Sequence, residues 1–149
     1  MKKILIITHS LMAKGIKETV EFLAGSQNID FACCFTDIKN PDVYLDEYLK
    51  NLSKNDKLII FTDLKGGSVN QKASMRLKKD NFYLITGVNL PIVLEVLFAN
   101  EESVNKDYLK GLIEKAKEEI VLMNEIINNE FENESLNNEE FFLERKLTI

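Results

Sequence analysis

Short apolar runs alternate along this chain with segments of helical period, and that alternation limits it to few folds. The first run, Ile4-Leu5-Ile6-Ile7 within residues 3–8, has no polar residue in alternate positions. A strand with one wet face would show such residues, so this strand is expected to be buried on both faces. Residues 29–35, 57–62 and 82–86 read the same way. Between them, Leu11, Met12, Ile16, Val20 and Leu23 recur at helical spacing and stop at Gly25. Pro41 opens a helix reaching Leu52, Gly66-Gly67 leads into a helix from Ser68 to Leu77, and Pro91 lies in the first turn of a helix to Ala99. Residues 104–127 read as one long amphipathic helix. Strand–helix alternation of this kind predicts an α/β fold: an open, mostly parallel sheet of four strands with helices on both faces.

Composition sets the limits around that fold. With 149 residues, 45% of them apolar, there is material for one buried core. All but seven of the 24 acids and two of the 19 bases lie at or before Met123, so the body is balanced and the net charge of −5 belongs to the end. Residues 1–127 are therefore read as one folded domain and 128–149 as an acidic Asn/Glu-rich tail. A neutral body argues against nucleic-acid binding through a broad basic surface. No apolar stretch approaches the ~18 residues that cross a bilayer. The four apolar residues after Lys3 fall short of the roughly 7–15 of a secretory signal, so a cytoplasmic protein is expected. Cys33 and Cys34 are adjacent within an apolar run and read as buried strand residues in a reducing compartment.

In open parallel sheets ligands bind beyond the carboxyl ends of the strands. Here those ends carry Thr8-His9-Ser10, Asp37, the segment from Asp63 to Ser68, and Thr86-Gly87-Val88-Asn89. The chain's one histidine is among them. His9 is poorly placed for a core role, and its imidazole suits a base, a ligand or a nucleophile. One histidine without spaced cysteines falls short of the ligand count of a transition-metal site, so no metal is expected. Asp63 has two readings: a helix-capping turn residue, or a carboxylate that holds one nitrogen of His9 and leaves the other free. Gly66, Gly67 and Ser68 permit a tight turn that aims helix N–H groups at an anion, for which a phosphoryl group is the natural guest. There is no Walker lysine motif and no dinucleotide fingerprint, and no organic cofactor is expected.

Three segments, Ile6-Ile7-Thr8-His9-Ser10, Phe61 through Ser68, and Ile85 through Pro91, together resemble the IIA domain of mannose-family phosphotransferase systems. That family has a strand-end histidine, a D-x-x-G-G-S turn and a G-V-N-[LI]-P segment in this order, and the likeness runs from about residue 2 to residue 123. The resemblance implies a phosphoryl carrier. His9 would take the group from phospho-HPr on the nitrogen distal to Asp63 and pass it to a IIB protein serving the membrane subunits IIC and IID. Ser68 and the backbone amides after Gly67 would hold phosphoryl oxygens, and Thr8, Ser10 and Asn89 would shape the site. It also implies a homodimer with an exchanged C-terminal antiparallel strand, and a protein peripheral to the inner membrane face through its partners.

Some positions depart from the family pattern: Ser10 replaces the usual glycine, Val69 the usual proline, and the following asparagine is shifted to Asn70-Gln71. His-Ser also occurs in the IIA-like subunit of dihydroxyacetone kinase, which is the alternative reading, beside a non-catalytic regulatory module of the same fold. A response-regulator receiver would need paired acids after the first strand, where this chain has Thr8-His9-Ser10. Lys65, Lys72, Arg76, Lys78 and Lys79 form a basic cluster that reads as a solvated helix face or a docking patch for an acidic partner. Residues 128–140 read as a linker and Phe141–Ile149 as a weakly patterned strand.

Overall fold

The computed structural model describes residues 1–77 and 81–127. The element order is β1 (Lys2–His9), α1 (Met12–Ala24), β2 (Ile29–Cys34), α2 (Pro41–Lys50), β3 (Lys57–Thr62), α3 (Ser68–Ser74), β4 (Phe82–Thr86), α4 (Leu90–Phe98), a 3₁₀ turn (Glu101–Ser103) and α5 (Lys106–Glu118). The strands form one sheet in the order β2-β1-β3-β4, and every pairing is parallel. Residues 1–117 make one compact unit, and a second begins at Glu118.

The unbroken apolar runs are explained by two cores, one on each face of the sheet. Ile4 and Ile6 of β1 pack with Ile59 and Phe61 of β3 and with Val20, Val93, Val96, Leu109 and Leu112 of α1, α4 and α5. The intervening Leu5 and Ile7 pack on the opposite face with Leu58, Ile60, Leu45 of α2, and Val69 and Ala73 of α3. Successive strand residues point to opposite faces, so a strand covered on both sides must be apolar at every position. The same parity sends His9, two residues beyond Ile7, to the face that carries α3.

Helix starts follow local capping chemistry. Asn40 Oδ1 accepts the amides of Asp42 (3.1 Å) and Val43 (3.5 Å) ahead of Pro41. Asn89 Oδ1 accepts the Ile92 amide at 3.0 Å at the start of α4. Thr8, fully buried at the end of β1, accepts the Ala13 amide at 2.8 Å and so ties the strand to the first turn of α1. At the opposite end of the sheet Lys2 Nζ donates to the carbonyls of Val96, Leu97 and Ala99 at 2.7–2.8 Å, closing the carboxyl end of α4.

Three helices are shorter than the sequence pattern suggests, among them α2, which ends at Lys50 rather than Leu52. The expected single helix over 104–127 is interrupted: α5 ends at Glu118, residues 120–122 are not helical, and a further turn spans 123–127. Ile120, Val121 and Leu122 are exposed, and two of them are β-branched. Without burial to reward it, a β-branched pair adds little to helix stability. Likewise α3 stops at Ser74 rather than Leu77. The strand expected at Phe141–Ile149, the linker before it and the strand exchange fall outside the described residues, as do Lys78 and Lys79. None of the helices among the described residues is long and apolar enough to cross a membrane.

Phe61 is the largest fully buried side chain of the core. Phe61→Ala should cost about 3–5 kcal/mol, read as a lower denaturant midpoint with an unchanged slope; a loss under ~1 kcal/mol would contradict the two-core packing described here.

Candidate functional site

β1 and β3 are neighbours, so their carboxyl ends bring His9 and Asp63 together. Asp63 Oδ2 accepts twice from His9, from its backbone amide and from ring Nδ1, both at 2.8 Å. Oδ1 accepts the Leu64 amide at 2.9 Å. Desolvation of this largely buried carboxylate is the strongest single influence and pushes its pKa up. The amide and ring donors of His9 and the amide of Leu64 together outweigh it and hold the pKa below the ordinary carboxylate value. Because Asp63 is thus ionised, Nδ1 carries the proton and donates. In the neutral ring Nε2 then keeps its lone pair, and the Ser68 hydroxyl lies 2.9 Å from it as the donor.

The turn after β3 is built to bring Ser68 there. Gly66 adopts φ +76°, a left-handed conformation that side chains disfavour. Gly67 is crowded: a Cβ would lie 3.1 Å from the Leu64 carbonyl oxygen, which would have to give by a few tenths of an ångström, and 3.4 Å from His9 Cε1. Asn70, buried in the first turn of α3, accepts the Gly66 amide at 3.0 Å and donates to Thr62 Oγ1 at 3.0 Å. Gln71 Nε2 closes the turn on the Gly66 carbonyl at 2.8 Å. No side chain caps α3, so the first N–H groups of this helix are left for another acceptor.

The Gly87-Val88-Asn89 segment supports Asp63 from behind. Gly87, at φ +76°, donates its amide to the Asp63 carbonyl at 2.8 Å, and Val88 donates to Thr62 at 3.1 Å. Asn89 does not reach His9; it caps α4, and its Nδ2 lies 3.5 Å from the Ala116 carbonyl of α5. Ser10 turns the chain away from β1 at φ 51° and donates its amide to Cys34 at 2.9 Å. Cys34 is no rival nucleophile. Burial, reinforced by the nearby charges of Asp63 and Cys33, pushes its thiol up to about 11, so it stays protonated at neutral pH.

The basic cluster is divided by the fold. Lys72 and Arg76 of α3 pair with Asp42 and Asp46 of α2; the Arg76 guanidinium lies 2.8 Å from Asp46 and 3.0 Å from Asp42. Both charges thus have acidic partners within the chain, and they join α2 to α3.

A family model described as "PTS system fructose IIA component" matches residues 3–117. The chain belongs to this family. It is 29% identical over 113 residues to the mannose-specific EIIAB component of Escherichia coli K12, a match covering 73% of this chain and 35% of that protein. The chain thus spans about a third of the length of that relative. Against the fructose-specific EIIA component of Bacillus subtilis it is 28% identical over 116 residues, covering 75% of this chain and 80% of the relative. A crystal structure from Klebsiella pneumoniae, described as a sugar phosphotransferase system permease, superposes with a TM-score of 0.77 at 26% identity, covering 85% of this chain and 93% of that one. The chain's match to that family model makes residues 3–117 a IIA-type domain, and the curated relatives it resembles are named for mannose, fructose and sorbose.

Within this IIA protein, Asn70 and Phe35 border the site although the motif reading assigned them no role there. Asn70 stood out in sequence only as a displaced family asparagine. The apolar run 29–35 makes Phe35 the last residue of the second strand, whereas β2 ends at Cys34.

Asp63 and Gly67 yield two predictions. With its pKa depressed, Asp63 contributes stability that is complete above its unfolded value of about 3.9 and is lost as the pH falls through the lower folded value. The stability gap between wild type and Asp63→Asn should therefore be full at pH 7 and shrink below about pH 4; a gap unchanged at pH 2–3 in denaturant titrations would contradict the ionised clamp. Gly67→Ala should displace the Leu64 carbonyl or the His9 ring, visible as a shift of the single histidine's imidazole signals with the fold retained.

Proposed function

We propose that this IIA component carries a phosphoryl group on His9 Nε2, accepting it from phospho-HPr and passing it to a IIB protein for sugar uptake. The single observation that carries this reading is the ring geometry: Nδ1 is held by Asp63 and Nε2 is aimed at the Ser68 hydroxyl. An imidazole fixed in that tautomer presents its lone pair for in-line attack on phosphorus. As the N–P bond forms and the donor N–P bond breaks, the electron pair of the broken bond returns to the donor's nitrogen. The reacting His9 ring gains positive character, which the Asp63 carboxylate stabilises through Nδ1–H. Ser68 then donates to a phosphoryl oxygen, and the uncapped N–H groups following Gly67 donate to the others, where the remaining negative charge lies. Gly66 and Gly67 keep that approach open, Thr8 and Ser10 fix the exit from β1, and Asn89 acts indirectly by seating α4.

The protein works, on this reading, in the cytoplasm, at the membrane face only through IIB and the membrane subunits, with 1–127 as its carrier domain and 128–149 as an appended tail. The relatives named for mannose, fructose and sorbose leave the sugar class of this chain open among such hexoses. The D-x-x-G-G-S turn and the following G-V-N-L-P segment favour this reading over the dihydroxyacetone kinase subunit.

Incubation with phosphoenolpyruvate, enzyme I and HPr should give one acid-labile, alkali-stable phosphate per chain. His9→Ala should abolish it, and Ser68→Ala should slow its formation by roughly a hundredfold or more, the scale of a lost oxyanion donor. Equal labelling of His9→Ala would sink the carrier role.

A further inference from the structure

Among the described residues, two that are not glycine have left-handed backbone, Ser10 at φ 51° and Phe35 at φ 65°. Both border His9, and the Ser10–Cys34 hydrogen bond joins the two turns. For a residue as bulky as phenylalanine this conformation is a genuine outlier. Local structure enforces it: Phe35 donates its amide to the Ile38 carbonyl at 2.8 Å, Ile38 donates to Cys33 at 3.0 Å, and Thr36 Oγ1 donates to Cys33 at 3.1 Å. A glycine or asparagine would make this turn without strain. The turn instead places the Phe35 ring beside the imidazole, with centroids 5.6 Å apart and planes inclined by 31°. Phe35 remains 54% exposed, so core burial does not account for it. Strained residues held in place at a site are a recognised mark of function.

We propose that Phe35 is a positioning residue that fixes the plane of the His9 ring and screens the phosphoryl group on Nε2 from water. This rests on the carrier reading of His9. In wasteful hydrolysis a water oxygen bonds to phosphorus while the P–Nε2 bond breaks. The electron pair of that bond returns to Nε2, and inorganic phosphate leaves with the water's protons shared between it and solvent. Productive transfer differs only in the nucleophile, a nitrogen on the partner. An apolar wall offers attacking water no hydrogen-bond acceptor, while Asp63 and Ser68 hold the ring through its two nitrogens.

The test phosphorylates His9 chemically with phosphoramidate, so that no partner protein is needed, and follows the phosphohistidine half-life by phosphorus NMR. Phe35→Ala and Phe35→Gly should each shorten it roughly threefold to tenfold, the range expected of one aromatic contact. Phe35→Tyr should restore it, and exchange of the Nδ1 proton with water should be faster in the two truncations alone. Glycine accepts φ 65° freely, so Phe35→Gly should melt above Phe35→Ala while sharing its short half-life. Half-lives that follow melting temperature, or that match wild type in both truncations, would overturn the proposal. Failure of wild type to accept phosphate from phospho-HPr would instead remove the carrier reading, and the chemically phosphorylated proteins would still decide what Phe35 does.

Discussion

Everything at the site depends on one carboxylate that must find donors because it has left water. Asp63 is nearly buried, and an ionised group there is costly unless it is hydrogen-bonded. Two of its three donors belong to His9, the last residue of β1, and the third is the amide of Leu64, which directly follows Asp63 beyond β3. The clamp therefore does two things at once: it joins adjacent strand ends, and it settles which nitrogen of His9 carries the proton. A carbonyl in the same place would hold the ring less firmly and would lack the charge to support a cationic imidazole.

The sheet makes that clamp rigid. Both faces of β1 and β3 are packed, so the strand ends have little freedom to shift relative to each other. Beyond the last buried residues the backbone changes character within a few positions: left-handed turns at Ser10, Phe35, Gly66 and Gly87 all fall at the carboxyl edge. Two of these are glycine and carry little strain. The other two border His9, Ser10 as the next residue of its own loop and Phe35 from the turn that follows β2. A rigid floor with a strained rim presents one half-exposed imidazole in a set orientation, which is what transfer between two proteins requires.

The fold was largely legible because double-sided burial writes itself into sequence as unbroken apolar runs. Residues 57–62 and 82–86 read as strands match β3 and β4. Errors arose where local pattern and tertiary contact part company. The apolar period continues through Ile120 and Met123, yet both are exposed and lie beyond the end of α5 at Glu118. Lys72 and Arg76 looked like free charge, because their partners Asp42 and Asp46 lie some 30 residues earlier and meet them only when α2 and α3 pack side by side. Asn70 looked like a displaced motif residue, whereas its side chain fastens the glycine turn to Thr62.

The sequence by itself determined the α/β class, the parallel sheet, the end of the sheet that carries the polar loops, and the nomination of His9, Asp63 and the Gly66-Gly67-Ser68 turn. These rest on periodicity, turn chemistry and motif spacing, all of which are local along the chain. Only the tertiary structure decided that β1 lies beside β3, that Asp63 engages both the amide and the ring of His9, that Ser68 reaches the remaining nitrogen, and that Phe35 lies against the imidazole. Those are distances between residues far apart in sequence, and they exist only once two apolar faces of one sheet have been covered.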